Sequence, residues 1–271
     1  MSVDTGPGPV PQGDEVAAES SRPDTVRGSR RPPPAWQDAK VLEVVSQTLE
    51  TSTLRLDLPA GSEFAAGQYY NVRLPVAGRP RPVQRAYSVG SSPLPDPSVI
   101  EVTVKRMDGG LISPRLVDEI RAGDSLAVRG PYGSFIWSAG LAGPVLLVAA
   151  GSGVVPLIAM ARLADSVGAE ERMRLLFCSK SYDTIIYRDE IARLGRKSWF
   201  DCTHTFTRSS VDERAAFHRR IDRDMLRTWL DCSRPARLAY ICGPPSMVDQ
   251  CADDLVALGM DPAGVKTEKY D

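Results

Sequence analysis

Pro144-Val145-Leu146-Leu147-Val148-Ala149-Ala150 runs without a break into Gly151-Ser152-Gly153-Val154-Val155-Pro156. An unbroken apolar run of this length, closed by glycines, reads as a strand buried on both faces, as in a parallel sheet covered by helices on either side. The sequence then turns helical to about Leu163. Strand, glycine turn and helix in that order bring bare backbone amides and the positive end of a helix to a dinucleotide pyrophosphate. Pro156 stands where the usual fingerprint has its third glycine, and the first helical turn tolerates proline because the N–H it lacks would be unpaired there. A plain helix start is the competing reading of the same residues.

Downstream, further strands are expected at Met173 to Cys178, Cys202 to Thr207 and Leu238 to Cys242, with helical segments between them. Alternating strand and helix imply a doubly wound parallel sheet, which binds ligands at the carboxyl ends of its strands. An NAD site places a carboxylate there for the ribose hydroxyls, whereas an NADP site places a cation for the 2′-phosphate. After the second strand come Ser179 and Lys180, with Asp183 the nearest acid; after the third come Thr207 and Arg208, then Arg219 and Arg220. The balance favours NADPH, with NADH possible. Lys180 and the arginine pair also read as solvated surface charge.

Upstream the pattern differs. Short alternating runs occupy Lys40 to Val45, Thr53 to Leu58, Tyr69 to Leu74, Arg85 to Val89, Ile100 to Lys105 and Ser125 to Arg129, separated by turn signals such as Pro59-Ala60-Gly61 and Asp108-Gly109-Gly110. Six short strands with Gly and Pro punctuation point to a small antiparallel barrel. Within it, Arg85-Ala86-Tyr87-Ser88 puts Arg85 and Tyr87 on one face and Ala86 and Ser88 on the other. A guanidinium beside a flat ring suits a ligand with both a phosphate and a planar heterocycle. Ser113 to Ile120 reads as a short helix with Ser113 as N-cap and Pro114 at its first position; it fits either an ordinary capped helix or a pyrophosphate site.

The chain has 271 residues, 42% hydrophobic and 25% charged, enough for two domains of a soluble globular protein. A formal net charge of −1 gives no global basic field, so nucleic acid is not expected as a partner. The longest apolar run is broken by Gly151, Gly153 and Pro156, so no membrane span is expected. The N-terminus lacks the hydrophobic core of a signal peptide, and the expected location is cytoplasmic. Residues 1–34 are rich in Pro, Gly, Ser and charge and are expected to be disordered. Cys178, Cys202, Cys232, Cys242 and Cys251 show no CxxC spacing, so no iron–sulfur cluster or other metal site is expected and reduced thiols are the reading. His204 and His218 carry no visible catalytic arrangement.

Taken in order, Arg-x-Tyr-Ser at 85–88, Gly110-Leu111-Ile112-Ser113, Gly151-Ser152-Gly153-Val154-Val155-Pro156 and Cys242-Gly243-Pro244-Pro245 resemble the ferredoxin-NADP reductase family over the chain from about Trp36 onward. The resemblance implies an FAD-binding six-stranded barrel at 35–138, followed by an NAD(P)-binding doubly wound domain at 139–271. It implies hydride transfer from NADPH, or NADH, to FAD and delivery of electrons to a separate protein acceptor. Arg85 is then expected at the FAD pyrophosphate, Tyr87 at the isoalloxazine face, Ser88 at flavin N5 and Ser113 at phosphate. Val104, Lys105, Gly110 and Leu111 join the cofactor-binding set. Gly151, Gly153 and Pro156 are expected to hold the nicotinamide dinucleotide, Thr207 and Arg208 its 2′-phosphate, and Gly243 and Pro244 the loop over the ring. Cys242 is expected near the nicotinamide, with buried structural Cys as the alternative, and Tyr270 over the flavin face opposite Tyr87, or as a frayed surface residue. Two other functions fit the same residues: a diffusible flavin or ferric reductase, and a non-catalytic subunit that senses nicotinamide or docks a partner.

Overall fold

The computed structural model describes Met1 and residues 34–140, 143–169, 171–209, 211–231 and 236–270. The segment expected to be disordered therefore lies almost wholly outside the described residues, as do Cys232 and Asp271. The described part builds two sheets in succession.

The first sheet is antiparallel and holds β1 (Gln37–Thr48), β2 (Thr51–Asp57), β3 (Tyr69–Leu74), β4 (Val83–Ser88), β5 (Val99–Lys105) and β6 (Ser125–Tyr132), in the order β4-β3-β6-β1-β2-β5. A bridge between Val89 and Val102 joins the two ends of that order and closes the barrel. Alternate residues fill the interior: Ala39 and Val41, Tyr70 and Val72, Ile100, Val102 and Val104, Leu126 and Val128 are all buried. Each buried Val, Leu or Ile among them contributes about 1.5–3 kcal/mol of hydrophobic stabilisation. The alternation fails on β2, where Thr51, Ser52 and Thr53 are buried beside Leu54. Thr53 is bonded to the Thr103 hydroxyl at 2.7 Å and Thr103 to the Tyr187 hydroxyl, so this outer face is covered by the second half of the chain.

The second sheet is parallel, in the order β11-β10-β7-β8-β9. It comprises β7 (Val145–Ala150), β8 (Met173–Ser179), β9 (Phe200–Phe206), β10 (Leu238–Gly243) and β11 (Val265–Lys269). Val145, Leu147 and Ala149 pack on one side with α2 (Val154–Val167) and α3 (Arg188–Leu194), and Leu146 and Val148 on the other with α4 (Arg223–Asp231) and α5 (Pro245–Ala257). The central strand is therefore apolar on both faces, as its composition predicts.

Two sequence expectations change. The strands read from the sequence end at Cys242, whereas the structure adds the polar strand Val265-Lys266-Thr267-Glu268-Lys269; β10 supplies its backbone partners in register from Ala239–Val265 to Gly243–Lys269. The helix after the glycine turn, α1, spans Ser113–Asp118 and ends earlier than Ile120, and Ser113 is its first residue rather than its cap. The Ser113 hydroxyl accepts instead from the Met107 N–H at 3.2 Å, tying the Asp108-Gly109-Gly110 turn to the helix. Among the described residues, no helix is long and apolar enough to cross a membrane.

Candidate active site between the two sheets

β4 presents the first part of the site. Arg85 and Tyr87 pair across to Val72 and Tyr70, while Ala86 and Ser88 pair to Asn71 and Tyr69, so the two pairs of residues occupy opposite faces as alternation requires. The Arg85 guanidinium is exposed and donates to the Gln84 carbonyl at 2.9 Å; no carboxylate among the described residues lies within ion-pair distance of it. Tyr87 is half-buried, and burial pushes its phenol up to about 12 despite an opposing effect of Arg85. The result is a neutral ring beside an uncompensated cation.

Below this strand, a Cβ on Gly110 would fall 2.6 Å from the Ser113 hydroxyl and 2.9 Å from the Met107 carbonyl, so only glycine fits the turn. Leu111 is exposed at its rim, whereas the Val104 side chain is fully buried in the barrel, which leaves only its backbone for any ligand. The cradle of free cation, neutral ring and side-chain-free turn fits a flavin nucleotide.

Where the barrel meets the parallel sheet, three side chains converge. Ser88 donates its hydroxyl to Glu268 at 3.3 Å, and the Cys242 thiol lies 3.9 Å from the same carboxylate oxygen. Burial raises the Glu268 carboxyl to about 7, with the Ser88 hydrogen bond opposing. Burial, aided by the Glu268 charge, pushes the Cys242 thiol well above its ordinary range, so it is a neutral S–H rather than a thiolate nucleophile. A cavity of about 320 Å³, lined by Gly133, Phe135, Lys266 and Glu268 among others, reaches this carboxyl from solvent. A larger cavity, about 670 Å³, is lined by Gly140, Gly143, Pro144, Val167, Glu171 and Arg172 among others, at the amino end of β7 and away from the glycine turn.

Tyr270 is not frayed. Its hydroxyl accepts from the Gly153 N–H at 2.8 Å and donates to the Ala150 carbonyl. Burial raises its phenol strongly. Gly153 itself has no room for a side chain, because a Cβ would lie 2.1 Å from the Cys242 carbonyl. Pro156 is buried in the first turn of α2. Gly243 closes β10, with its missing Cβ replaced by the Met247 methyl, and Pro244 leads into α5.

Beside the glycine turn the strand ends carry charge. The Arg208 N–H donates to the Lys180 carbonyl at 2.8 Å, and the Thr207 N–H to the Ser179 carbonyl at 3.0 Å, so parallel pairing extends past β8 and β9 and brings these residues together. Lys105, at the end of β5, has its ammonium 3.9 Å from the position a Cβ would take on Gly151. Burial lowers the Lys105 pKa, with Lys180 and Arg208 adding to the effect and Glu50 opposing it. Glu50, from the turn between β1 and β2, pairs with Lys180 at 3.2 Å.

Glu268 and Glu50 are the members of this site that sequence reasoning missed. Glu268 left one signal, its spacing of two from Tyr270, which places both on one face of an extended segment. Glu50 left none, since nothing in a turn sequence tells which distant strand end it faces.

A nucleotide cradle on a barrel, joined to a glycine turn on a parallel sheet, defines a flavin- and nicotinamide-binding oxidoreductase. Residues 38–137 match the oxidoreductase FAD-binding domain and residues 147–253 the oxidoreductase NAD-binding domain. The ferredoxin–NADP reductase B of Sorangium cellulosum (strain So ce56) is 33% identical over 213 residues, which cover 77% of this chain and 86% of that one. The chain belongs to the ferredoxin–NADP reductase family of FAD-dependent oxidoreductases. The reductase component of propane 2-monooxygenase from Rhodococcus jostii (strain RHA1) is 28% identical over 85% of this chain, and this chain spans only 62% of its length. Two further such components, from Gordonia sp. (strain TY-5) and Mycolicibacterium goodii, are each spanned to 60%. Among solved structures, a ferredoxin NADP+ reductase from Neisseria gonorrhoeae with bound FAD and NADP superposes with a TM-score of 0.74 at 20% identity, covering 86% of this chain and 98% of that one. At that identity the likeness concerns the fold.

Proposed function

We propose that the chain oxidises NADPH in preference to NADH and passes the electrons through FAD to a separate acceptor protein, either a ferredoxin-like carrier or a redox enzyme. A cytoplasmic setting, where reduced nicotinamide is supplied, belongs to the proposal. The half at 35–138 takes FAD and the half at 139–271 takes the nicotinamide nucleotide. The single observation that carries this reading is the meeting of Ser88, Cys242 and Glu268, which come from both sheets and share one carboxylate oxygen.

FAD, when bound, supplies the two-electron centre that accepts hydride and releases electrons singly or in pairs. Arg85 neutralises pyrophosphate charge, the Leu111 to Ser113 turn offers backbone donors, and Tyr87 covers a ring face. Ser88 and Glu268 hold a proton between them, and a carboxyl near pKa 7 is suited to take it up from solvent or release it at neutral pH. Cys242, as a neutral thiol, packs at the reacting edge without forming bonds. Tyr270 occupies the Gly153 N–H, so it withdraws before a coenzyme pyrophosphate uses that donor. Lys180 and Arg208 read the 2′-phosphate, with the Thr207 backbone fixing their strand ends.

Anaerobic mixing of the FAD-loaded protein with NADPH and, separately, NADH tests this directly. Rapid loss of flavin absorbance, faster with NADPH, is the expected outcome. A yellow protein bleached by neither nucleotide would overturn the reading.

A further inference from the structure

Four chain segments that are distant in sequence deliver charged side chains to one place above the glycine turn. Glu50 comes from the β1–β2 turn, Lys105 from the end of β5, Lys180 from the end of β8 and Arg208 from the end of β9. Lys180 pairs with Glu50 at 3.2 Å, the Arg208 backbone is fixed to Lys180, and Lys105 leans over Gly151. Glu50 feels all three cations, which together hold its carboxyl below the usual glutamate range, with the Lys180 hydrogen bond the largest effect. No other carboxylate pairs with these cations among the described residues, so three positive groups surround one negative group. Two positive charges are left unmatched beside a phosphate-binding turn. The Glu50 and Lys180 side chains are 51% and 36% exposed. An exposed pair of this kind is weakly held and readily exchanged.

We propose that Glu50 is a specificity-setting residue: its carboxylate stands among Lys105, Lys180 and Arg208 where the coenzyme 2′-phosphate binds, and NADPH must displace it whereas NADH need not. The inference rests on the NADPH reading above. A phosphate carries close to two negative charges at neutral pH where the carboxylate carries one, so it matches the cations better and wins the exchange. The carboxylate nevertheless opposes the phosphate twice, by occupying Lys180 and by repelling the incoming charge at short range. Separations of this order lie well inside the Debye length of about 8 Å at physiological salt, so screening does not remove the effect. The opposite assignment, Glu50 as an acceptor for the ribose hydroxyls of NADH, leaves the excess of cations without a purpose.

Calorimetric titration of the FAD-loaded protein with 2′,5′-ADP and with 5′-AMP separates these roles without using turnover. Glu50→Gln is expected to bind 2′,5′-ADP about three- to tenfold more tightly than the natural chain, the size of one exposed pair plus the repulsion it removes, with 5′-AMP unchanged. Glu50→Ala should act in the same direction, and because Glu50 lies in an exposed turn, equal FAD content and melting temperature confirm that both variants fold. If the natural chain prefers 2′,5′-ADP, and Arg208→Ala abolishes that preference, yet Glu50→Gln leaves 2′,5′-ADP binding unchanged or weaker, the Glu50 assignment is wrong and the NADPH reading stands. If the natural chain shows no preference for 2′,5′-ADP and Glu50→Gln weakens 5′-AMP, both readings fail and Glu50 is a ribose ligand.

Discussion

Among the described residues, the barrel and the half that holds the parallel sheet pair charges at two places, and the two are built on opposite principles. Around Arg162 of α2, one guanidinium bridges two carboxylates: Glu101 of β5 at 2.5 Å and Glu190 of α3 through both ends of the fork, at 2.8 and 2.6 Å, with the Gly90 carbonyl at 2.8 Å as a further acceptor. The guanidinium lies over the Tyr187 ring, and the hydrogen bonds to Glu190 raise its pKa against the penalty of burial. All three side chains are less than a quarter exposed. Around Glu50, one carboxylate meets three cations at an open strand end. Arg55 stands 3.8 Å from Glu101 and 3.0 Å from Glu43, and Arg193 3.6 Å from Glu190, so the charges around Arg162 are matched within the protein and hold the halves together. The Glu50 cluster has positive charge to spare, as the proposed 2′-phosphate site requires. Counting unmatched charge, together with exposure, thus separates a structural network from a binding one where residue type alone does not.

The sharpest way to break the contrast is Arg162→Ala. Removing this guanidinium leaves the half-buried Glu101 and Glu190 with only the longer contacts to Arg55 and Arg193, and the expected cost is about 3–5 kcal/mol of unfolding free energy, read by denaturant titration. A loss below about 1 kcal/mol would show that the network is no better than a surface pair. Arg85→Ala comes next: losing a charge-assisted phosphate contact of about 1.5–3 kcal/mol should weaken FAD binding by roughly ten- to a hundredfold, measured as flavin content after dialysis. Arg208→Ala should lower the NADPH-over-NADH preference by about tenfold while sparing stability, because its side chain is exposed and its charge attracts Glu50 but repels Lys105.

Glu268 supplies a test that depends on pH. It ionises near 7 when folded and near its ordinary 4.5 when unfolded, so between those values the folded chain keeps a proton that the unfolded chain has released. Stability contributed by this group is complete below about 4.5 and is lost as pH rises towards 7. Glu268→Gln should flatten that slope in melting temperature and also remove the matching pH dependence of flavin reduction. The smallest effect is expected of Arg172→Ala, whose partner Asp201 is 43% exposed: no more than about 1 kcal/mol.

Several of these features were readable beforehand. The uninterrupted Val145 to Ala150 run identified the buried central strand, because only a parallel strand covered on both faces lacks a polar side. Alternation placed Arg85 with Tyr87 and Ser88 opposite, and the paired strand bears that out. Ser113 differs from the expected helix cap because the helix starts one residue earlier, with Ile112 at the cap, and the Ser113 hydroxyl is taken by the Met107 N–H across the turn. β11 escaped notice because a polar edge strand draws its stability from a neighbour's backbone groups rather than from its own apolar residues.

The sequence by itself determined the two-part architecture, since periodicity and glycine placement are local properties that do not depend on distant residues, and the order of its four motifs carried the family resemblance that implies the cofactors. Only the tertiary structure decided which charges meet. Glu50 and Lys180 are separated by 130 residues, and Ser88 and Glu268 by 180. Electrostatic energy falls with distance in space and takes no account of distance along the chain.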